Sequence, residues 1–270
     1  MRHALFLPPF DDLADPEHLI ELAVLAESAG WDGFFLWDHL LYDAPVRDIL
    51  DPYVSLGAIA QATSKIQLGP MVTPLVRRRP QVVARQAVTL DRFSHGRLVL
   101  GFGIGDDGGP GGELSAFAEN LDARVRGRQL DEGLSVLTGL LSGAPQQHTG
   151  EFYRAMDVAF SPTPLRDGGI PIWIAARWPH RAPIRRAARY QGVVIIEMTD
   201  PADVATLRGQ LQEDGVDLES FDIVVLGRDG DDPQIWADAG VTCLMARLGP
   251  YALDFDPTSA RVGAGPRISI

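Results

Sequence analysis

The sequence contains little of what several classes of protein need. Of its 270 residues one is a cysteine, Cys243, and one is a lysine, Lys65. A single cysteine excludes an intrachain disulfide framework and a zinc site built from several cysteines. A single lysine at the start of a strand-like segment disfavours Schiff-base chemistry. No apolar stretch approaches the roughly 18 residues that suggest a membrane-spanning helix.

Positive charge is also scarce. Lysine and arginine together number 24, aspartate and glutamate 36, and the formal net charge is −12. Nucleic-acid binding and attachment to an anionic membrane both need basic surface, so neither partner is expected. The first apolar run, residues 4–7, is too short for a signal peptide. We expect a cytoplasmic globular protein, with 46% apolar residues available for its core.

What the sequence does contain is a regular alternation of two patterns. Near-continuous apolar runs, typical of strands buried on both faces, cover residues 3–8, 32–37, 65–72, 97–103, 170–176, 192–197, 222–227 and 241–247. Helical patterns lie between them. Eight strands alternating with about eight helices predict an α/β fold, a (β/α)₈ TIM barrel forming one domain over residues 1–270. A doubly wound sheet is the alternative.

Several helix starts carry a clear signal. Asp15 followed by Pro16 suits an N-cap and first helical position, and the Asp-Pro pair recurs at residues 51, 200, 232 and 256. The predicted helices include residues 16–29, 80–93, 113–141 and 180–190. Residues 143–164 instead contain turn formers and aromatic residues without helical period, which predicts a small hairpin inserted before the fifth strand.

Polar residues gather where the predicted strands end. In a TIM barrel these ends form the active-site face, and the convergent residues here are Asp38, His39, Thr73, Asp106, Arg177 and Glu197. His39 beside Asp38 is the strongest pair, because a histidine moves protons near neutral pH and a neighbouring carboxylate raises its pKa. The alternative is that Asp38 caps the next segment and His39 lies on the surface.

Three other features are less specific. The glycine-rich run 101–112 lacks the spacing of a phosphate-binding loop. It suits either the close approach of a flat ligand or a flexible loop. Arginines 77–79 are interpreted as a solvated loop, with the alternative that one of them meets an anionic ligand. No histidine pair has metal-ligand spacing, so no metal is expected.

Four segments, residues 26–40, 65–106, 170–195 and 236–248, resemble luciferase-like flavin-dependent oxidoreductases. The resemblance implies a TIM barrel that binds coenzyme F420 at its C-terminal face and transfers hydride to or from a small organic substrate. An FMN-dependent monooxygenase is the close alternative. A non-catalytic or cofactor-free barrel is the second, because a fold does not guarantee an activity.

The resemblance also implies roles for individual residues. His39 and Asp106 would be catalytic, and Tyr42 and Glu197 would contact substrate. The implied cofactor-binding residues are Asp38, Pro70, Met71, Thr73, Gly105, Asp106, Ala176, Arg177, Trp178 and Pro179. A non-proline cis peptide is expected at Pro70–Met71, and a homodimer is expected, with Leu13, Leu56, Val82 and Val83 near its surface.

The cofactor's phosphate is expected at residues 175–179, where a strand ends and a helix begins. Relatives usually have glycine at the positions of Arg177 and Trp178. Either the Arg177 side chain replaces the lost backbone contacts with a charge-assisted bond, or the two bulky residues block the pocket.

Overall fold

The structure, a computed structural model, describes residues 1–107, 112–228 and 230–266. Within these ranges the chain forms eleven strands, most of them at the predicted apolar runs. They are β1 (Arg2–Leu7), β2 (Gly33–Leu36), β3 (Gln67–Pro70), β4 (Thr73–Pro74), β5 (Leu100–Gly103), β6 (Gln146–Thr149), β7 (Arg154–Val158), β8 (Ile172–Arg177), β9 (Gly192–Ile196), β10 (Asp222–Gly227) and β11 (Cys243–Arg247).

Nine strands form one parallel sheet, in the order β3-β2-β1-β11-β10-β9-β8-β5-β4. β3 and β4 are two parts of one strand, separated only by Met71 and Val72. The sheet closes between β3 and the residues before β5, where the Val99 amide donates to the Leu68 carbonyl at 2.9 Å. The result is the predicted eight-stranded barrel, and its closure excludes the doubly wound alternative.

Helices cover the outside of the barrel. In the described residues they are α1 (Pro16–Ser28), α2 (Pro52–Ala62), α3 (Pro80–Phe93), α4 (Glu113–Ala116), α5 (Ala123–Leu141), α6 (Arg181–Ala187), α7 (Asp203–Glu213), α8 (Pro233–Ala239) and α9 (Phe255–Gly263). Asp15, Asp51 and Asp232 each cap a helix whose first residue is proline, as the Asp-Pro pairs predict. The predicted hairpin is also present, as the antiparallel pair β6 and β7.

Two details of the predicted elements are wrong. The helix expected over residues 113–141 is broken into α4 and α5, because the Asp122 side chain accepts from the Arg124 amide at 2.8 Å and starts a new helix there. The non-proline cis peptide lies at Met71–Val72, one residue later than expected. The Met71 amide still donates to the Leu36 carbonyl at 2.7 Å, so the regular ladder extends through the Pro70–Met71 bond.

The surface expected for a homodimer also needs correction. Leu13, Leu56 and Val83 are fully buried within the chain, and only Val82 is exposed. All three buried residues lie on the faces that their elements turn towards the barrel, where apolar side chains are stabilised by removal from water. They belong to the core and not to an outer face.

At the amino end of the barrel, Arg97 connects several loops from within. All five of its guanidinium N–H groups donate, to the carbonyls of Ser94, Ile66, Ala60 and Thr63 and to the Thr63 hydroxyl, at 2.7–3.0 Å. Only 9% of Arg97 is exposed. The loops before β3 and before β5 are therefore held to one buried cation.

Candidate active site

The polar residues predicted from strand ends separate into two clusters at the carboxyl end of the barrel. The first, called the His39 cluster, contains His39, Glu113, Arg77, Arg78 and Asp38. The second, called the Arg177 cluster, contains Arg177, Asp106 and Glu197. Thr73 belongs to neither, since it is fully buried and its hydroxyl bonds the Tyr53 hydroxyl at 3.1 Å.

His39 is paired with Glu113, not with its neighbour Asp38. His39 Nδ1 lies 3.2 Å from Glu113 Oε2, while the other carboxylate oxygen, Oε1, accepts from the amides of Leu40 and Leu41. Glu113 is the first residue of α4 and is buried. The predicted Asp38–His39 pair is therefore wrong in its carboxylate, which comes from a residue 74 positions along the chain.

The charge state of Glu113 follows from its contacts. Burial by itself raises the pKa of a carboxyl group, but the hydrogen bond and charge of His39, the Leu41 amide and the charge of Arg77 outweigh it. The net effect is a pKa below the ordinary value. An ionised carboxylate only accepts hydrogen bonds, so His39 Nδ1 carries the proton and Nε2 is the nitrogen available to a ligand.

Asp38 forms ion pairs with two arginines of the cluster. Arg78 Nε and one of its terminal nitrogens donate to the two Asp38 carboxylate oxygens, each at 2.9 Å. Arg77 donates to the Asp38 carbonyl at 2.6 Å and lies 3.7 Å from Glu113. The side chains of Arg77 and Arg78 are 3% and 17% exposed. The prediction of a solvated arginine loop is correct for Arg79 alone.

The Arg177 cluster is more open to solvent. Arg177 donates to Asp106 at 3.1 Å and forms an ion pair with Glu197 at 3.2 Å, and each of the three side chains is about half exposed. Solvent and salt screen such pairs strongly. The predicted catalytic Asp106 and the predicted substrate residue Glu197 thus lie on either side of one accessible guanidinium.

The backbone after β8 offers less to a phosphate than expected. The Trp178 amide donates to the Ile196 carbonyl at 2.9 Å and the His180 amide to the Arg177 carbonyl at 2.9 Å. Pro179 has no N–H group. The Trp178 indole is bound to Asp203 at 3.0 Å, and Ala176 is buried. The Arg177 side chain is the donor that this segment presents to solvent.

Small residues line the barrel end between the two clusters. A side chain added at Gly103 would place its Cβ 3.1 Å from Val72 and 3.6 Å from Ala175. Gly105 follows with a φ of +73°, a conformation that favours glycine. Pro70 and Met71 are buried below this level. Residues 108–111 of the glycine-rich run lie outside the described residues.

Aromatic rings form a wall beside His39. Tyr42 packs edge-on against His39, with ring centroids 5.2 Å apart, and lies 5.0 Å from Phe10 and 6.1 Å from Tyr251. Trp37 lies 5.9 Å from His39. Its buried indole nitrogen has no hydrogen-bond partner among the described residues.

Three members of the His39 cluster are absent from the strand-end prediction: Glu113, Arg77 and Arg78. Glu113 follows the glycine-rich run and opens a helix, so its sequence position suggests an ordinary first-turn carboxylate.

Within residues 1–107, 112–228 and 230–266 no group of three His, Cys, Asp or Glu side chains could hold a metal ion. No helix in the described part of the chain is both long and apolar enough to cross a membrane.

Comparison with known proteins identifies the family of the chain. The sequence profile of a family described as luciferase-like monooxygenase matches residues 1–228. The chain belongs to this family. An F420-dependent glucose-6-phosphate dehydrogenase of Microbacterium testaceum is 31% identical over 191 residues, which make up 69% of this chain and 54% of that protein. The chain spans about half the length of the curated relatives it matches.

Solved structures with the same fold cover almost the whole chain. A coenzyme F420-dependent tetrahydromethanopterin reductase from Methanopyrus kandleri aligns with a TM-score of 0.74 at 17% identity, covering 97% of both chains. An F420-dependent secondary alcohol dehydrogenase, solved with an F420–acetone adduct, aligns with a TM-score of 0.77 at 16% identity, covering 97% of this chain and 98% of that one. At these identities the likeness concerns the fold.

Proposed function

We propose that the protein is an oxidoreductase that uses coenzyme F420 for hydride transfer to or from a small organic substrate. The observation that carries the proposal is the His39–Glu113 pair, which occupies Nδ1 and leaves Nε2 of a half-buried histidine available at the strand-end face of a barrel of this family. The names of the curated relatives support F420 as the cofactor.

The residues at the barrel mouth fit a flat cofactor ring. Gly103 lets the backbone pack closely here, because a Cβ at that position would lie only 3.1 Å from the Val72 side chain and 3.6 Å from Ala175, and Gly105 follows without a side chain. When bound, coenzyme F420 would supply a ring carbon able to accept or donate a hydride. Gly105 and the backbone around Val72 are the parts of the chain proposed to lie against it, with the predicted cofactor residues Pro70, Met71 and Thr73 supporting that backbone from below.

The protein's own contribution is proton transfer and charge. His39 Nε2 takes the hydroxyl proton of an alcohol substrate while the C–H bond of the hydroxyl-bearing carbon is broken by hydride transfer. In the reverse direction His39 returns a proton to the carbonyl oxygen. Glu113 stabilises the imidazolium formed in the first case. Asp106 is proposed as the second proton carrier, and Arg177 as the group that binds the cofactor's phosphate.

An FMN-dependent monooxygenase is the second candidate, favoured by the description of the family. Reconstitution separates the possibilities. Protein incubated with each cofactor and passed through gel filtration should retain F420, seen as absorbance at about 420 nm, and not FMN at about 450 nm. Retention of FMN instead would support the second candidate, and retention of neither would favour a cofactor-free barrel.

We also propose that the protein is a homodimer joined through α2 and α3. Support comes from three exposed apolar side chains on these helices, Val54, Val82 and Phe93, beside a groove of about 330 Å³. Light scattering at micromolar concentration should give a dimer mass that Val54→Asp reduces to a monomer mass. Ile235→Asp, on the exposed face of α8, should remain a dimer. A monomeric wild-type protein would contradict the proposal.

A further inference from the structure

We propose that the barrel mouth beside His39 contains a subsite for an anionic group of the substrate, with Arg247 as its main ligand. This inference deepens the proposed function and rests on it for the reaction carried out at His39. The substrate class it names is a small alcohol or carbonyl compound that carries a carboxylate or phosphate.

The Arg247 guanidinium packs on an aromatic ring but has no hydrogen-bond acceptor among the described residues. It is the last residue of β11, and its guanidinium lies over the indole ring of Trp37, 4.9 Å from the ring centroid. Trp37 is 5% exposed and therefore forms a fixed support, whereas Arg247 is exposed. Among the described residues no carboxylate lies within 4.0 Å of the Arg247 guanidinium and no acceptor takes a hydrogen bond from it.

Four other arginines at this end of the barrel already have partners among the described residues. Arg77 and Arg78 are bound to Asp38, and Arg177 lies between Asp106 and Glu197. Arg228 donates to the Thr199 carbonyl at 2.7 Å. In a chain of net charge −12, an exposed guanidinium that packs on a buried ring and has no acceptor among the described residues is well suited to a planar anion.

Two phenol groups add donors beside Arg247. The hydroxyls of Tyr42 and Tyr251 bond no described residue, and their rings are 6.1 Å apart. Burial, followed by the neighbouring Tyr251, raises the pKa of Tyr42, although Arg247 opposes this. Tyr42 therefore remains protonated at neutral pH and donates an O–H to a ligand. This gives the predicted substrate residue Tyr42 a specific partner, the anionic group.

The position of Trp37 fixes how the substrate would lie. One indole ring contacts both Arg247, at 4.9 Å, and His39, at 5.9 Å between ring centroids. Trp37 itself is buried, so a substrate would lie between the two groups that pack on it, with its anion at Arg247 and its hydroxyl or carbonyl carbon at His39. The subsite thus selects compounds whose anionic group and reacting carbon match the span from Arg247 to His39.

Inorganic phosphate tests the subsite without any turnover. The protein, free of cofactor, is titrated with sodium phosphate at constant ionic strength, and indole N–H signals are followed by ¹H–¹⁵N NMR. The Trp37 signal is assigned by its loss in Trp37→Phe. We expect a saturable shift of this signal, weakened about tenfold or more in Arg247→Ala. Arg154→Ala, which removes an exposed arginine from β7, should bind phosphate as the wild type does.

The remaining outcomes are decisive as well. An unchanged Trp37 signal, or equal binding in Arg247→Ala, overturns the subsite, whereas the hydride-transfer proposal stands or falls separately on cofactor retention. A parallel titration with acetate distinguishes a carboxylate from a phosphate ligand. If phosphate still shifts the Trp37 signal in protein saturated with F420, the anion belongs to the substrate. If F420 displaces it, the anion belongs to the cofactor and the substrate assignment is wrong.

Discussion

Glu113 Oε2 lies 3.2 Å from His39 Nδ1 across 74 residues of chain, and the same carboxylate accepts the amides of the two residues that follow His39. One side chain thus fixes the imidazole and the backbone after it. Orientation of this kind keeps the basic nitrogen directed at a substrate without reorganisation during the reaction. The arrangement leads to the first prediction.

His39→Ala should lower the turnover number by about 10²–10⁴, because no other group at that position carries the proton. The measurement is kcat for F420-dependent turnover over a pH series. His148→Ala is the matched control, because His148 also bonds a glutamate, Glu132, at 3.0 Å, but lies on the hairpin. Full activity of the His39 variant between about pH 5 and 9 would remove His39 from the mechanism.

Asp38→Asn should destabilise the fold by about 3–5 kcal/mol, because it leaves the buried Arg77 and Arg78 without their main counter-charge. Asp51→Asn is the control. Asp51 also bonds Arg78 at 2.9 Å, but its side chain is 38% exposed. Because asparagine can also cap the N-terminus of α2, Asp51→Asn should lower the free energy of unfolding by less than about 1 kcal/mol. Urea unfolding followed by circular dichroism gives both values, and equal costs would contradict the buried pair.

Glu113 should make stability depend on pH in acid. Its pKa is below the ordinary 4.5 in the folded protein, so its contribution is fully present above that value and is lost as pH falls through the lowered pKa. The difference in unfolding free energy between wild type and Glu113→Gln should be about 1.5–3 kcal/mol at pH 7. The difference should shrink towards pH 3. A difference that is constant with pH would mean that the carboxylate is not charged in the fold.

Arg177→Ala should weaken F420 binding by about 1.5–3 kcal/mol if its guanidinium holds the cofactor's phosphate. Isothermal titration calorimetry measures the change. Arg185→Ala, which removes a 70% exposed side chain of α6, should leave the affinity unaltered. Unchanged or tighter binding after Arg177→Ala would favour the alternative, in which Arg177 and Trp178 obstruct the pocket.

Gly69→Ala should prevent proper closure of the barrel. A Cβ at Gly69 would lie 1.8 Å from the Val99 carbonyl oxygen, where β3 meets the start of β5. Overpacking of this kind costs about 1–3 kcal/mol or more. Gly209→Ala is the control in α7, where nothing lies within 4 Å. That change should stabilise slightly, by about 0.4–1 kcal/mol. Thermal unfolding should therefore give a lower Tm for Gly69→Ala and a slightly higher Tm for Gly209→Ala than for the wild type.

Most of the fold was predictable because parallel barrel strands are buried on both faces and so appear as continuous apolar runs. Strand ends then place His39, Asp106, Arg177 and Glu197 on one face. Local sequence, however, does not reveal which carboxylate meets which base. The partner of His39 lies beyond the glycine-rich run in the sequence, and only the packing of α4 against the loop after β2 brings Glu113 to it.

The arginine run shows the opposite limitation. Three consecutive arginines usually form a solvated face, since burying a charge is costly without a partner. Here a short 3₁₀ turn over Leu75–Arg77 directs Arg77 inward, and Asp38 provides the partner. Arg77 and Asp38 are both polar, so a hydrophobic pattern in the sequence cannot reveal that either side chain is buried. The ion pair is apparent only once the strands bring the two loops together.

Arg97 has a consequence for the chain's composition. Of the 24 basic residues only one is a lysine. The arginines could therefore be taken as products of nucleotide bias, each exchangeable for lysine. An ammonium group has three N–H donors and a guanidinium has five, and Arg97 uses all five. At exposed Arg154 a change of codon could exchange the two residues freely. At Arg97 it would leave two buried carbonyl or hydroxyl oxygens unbonded, so nucleotide bias alone does not account for arginine there.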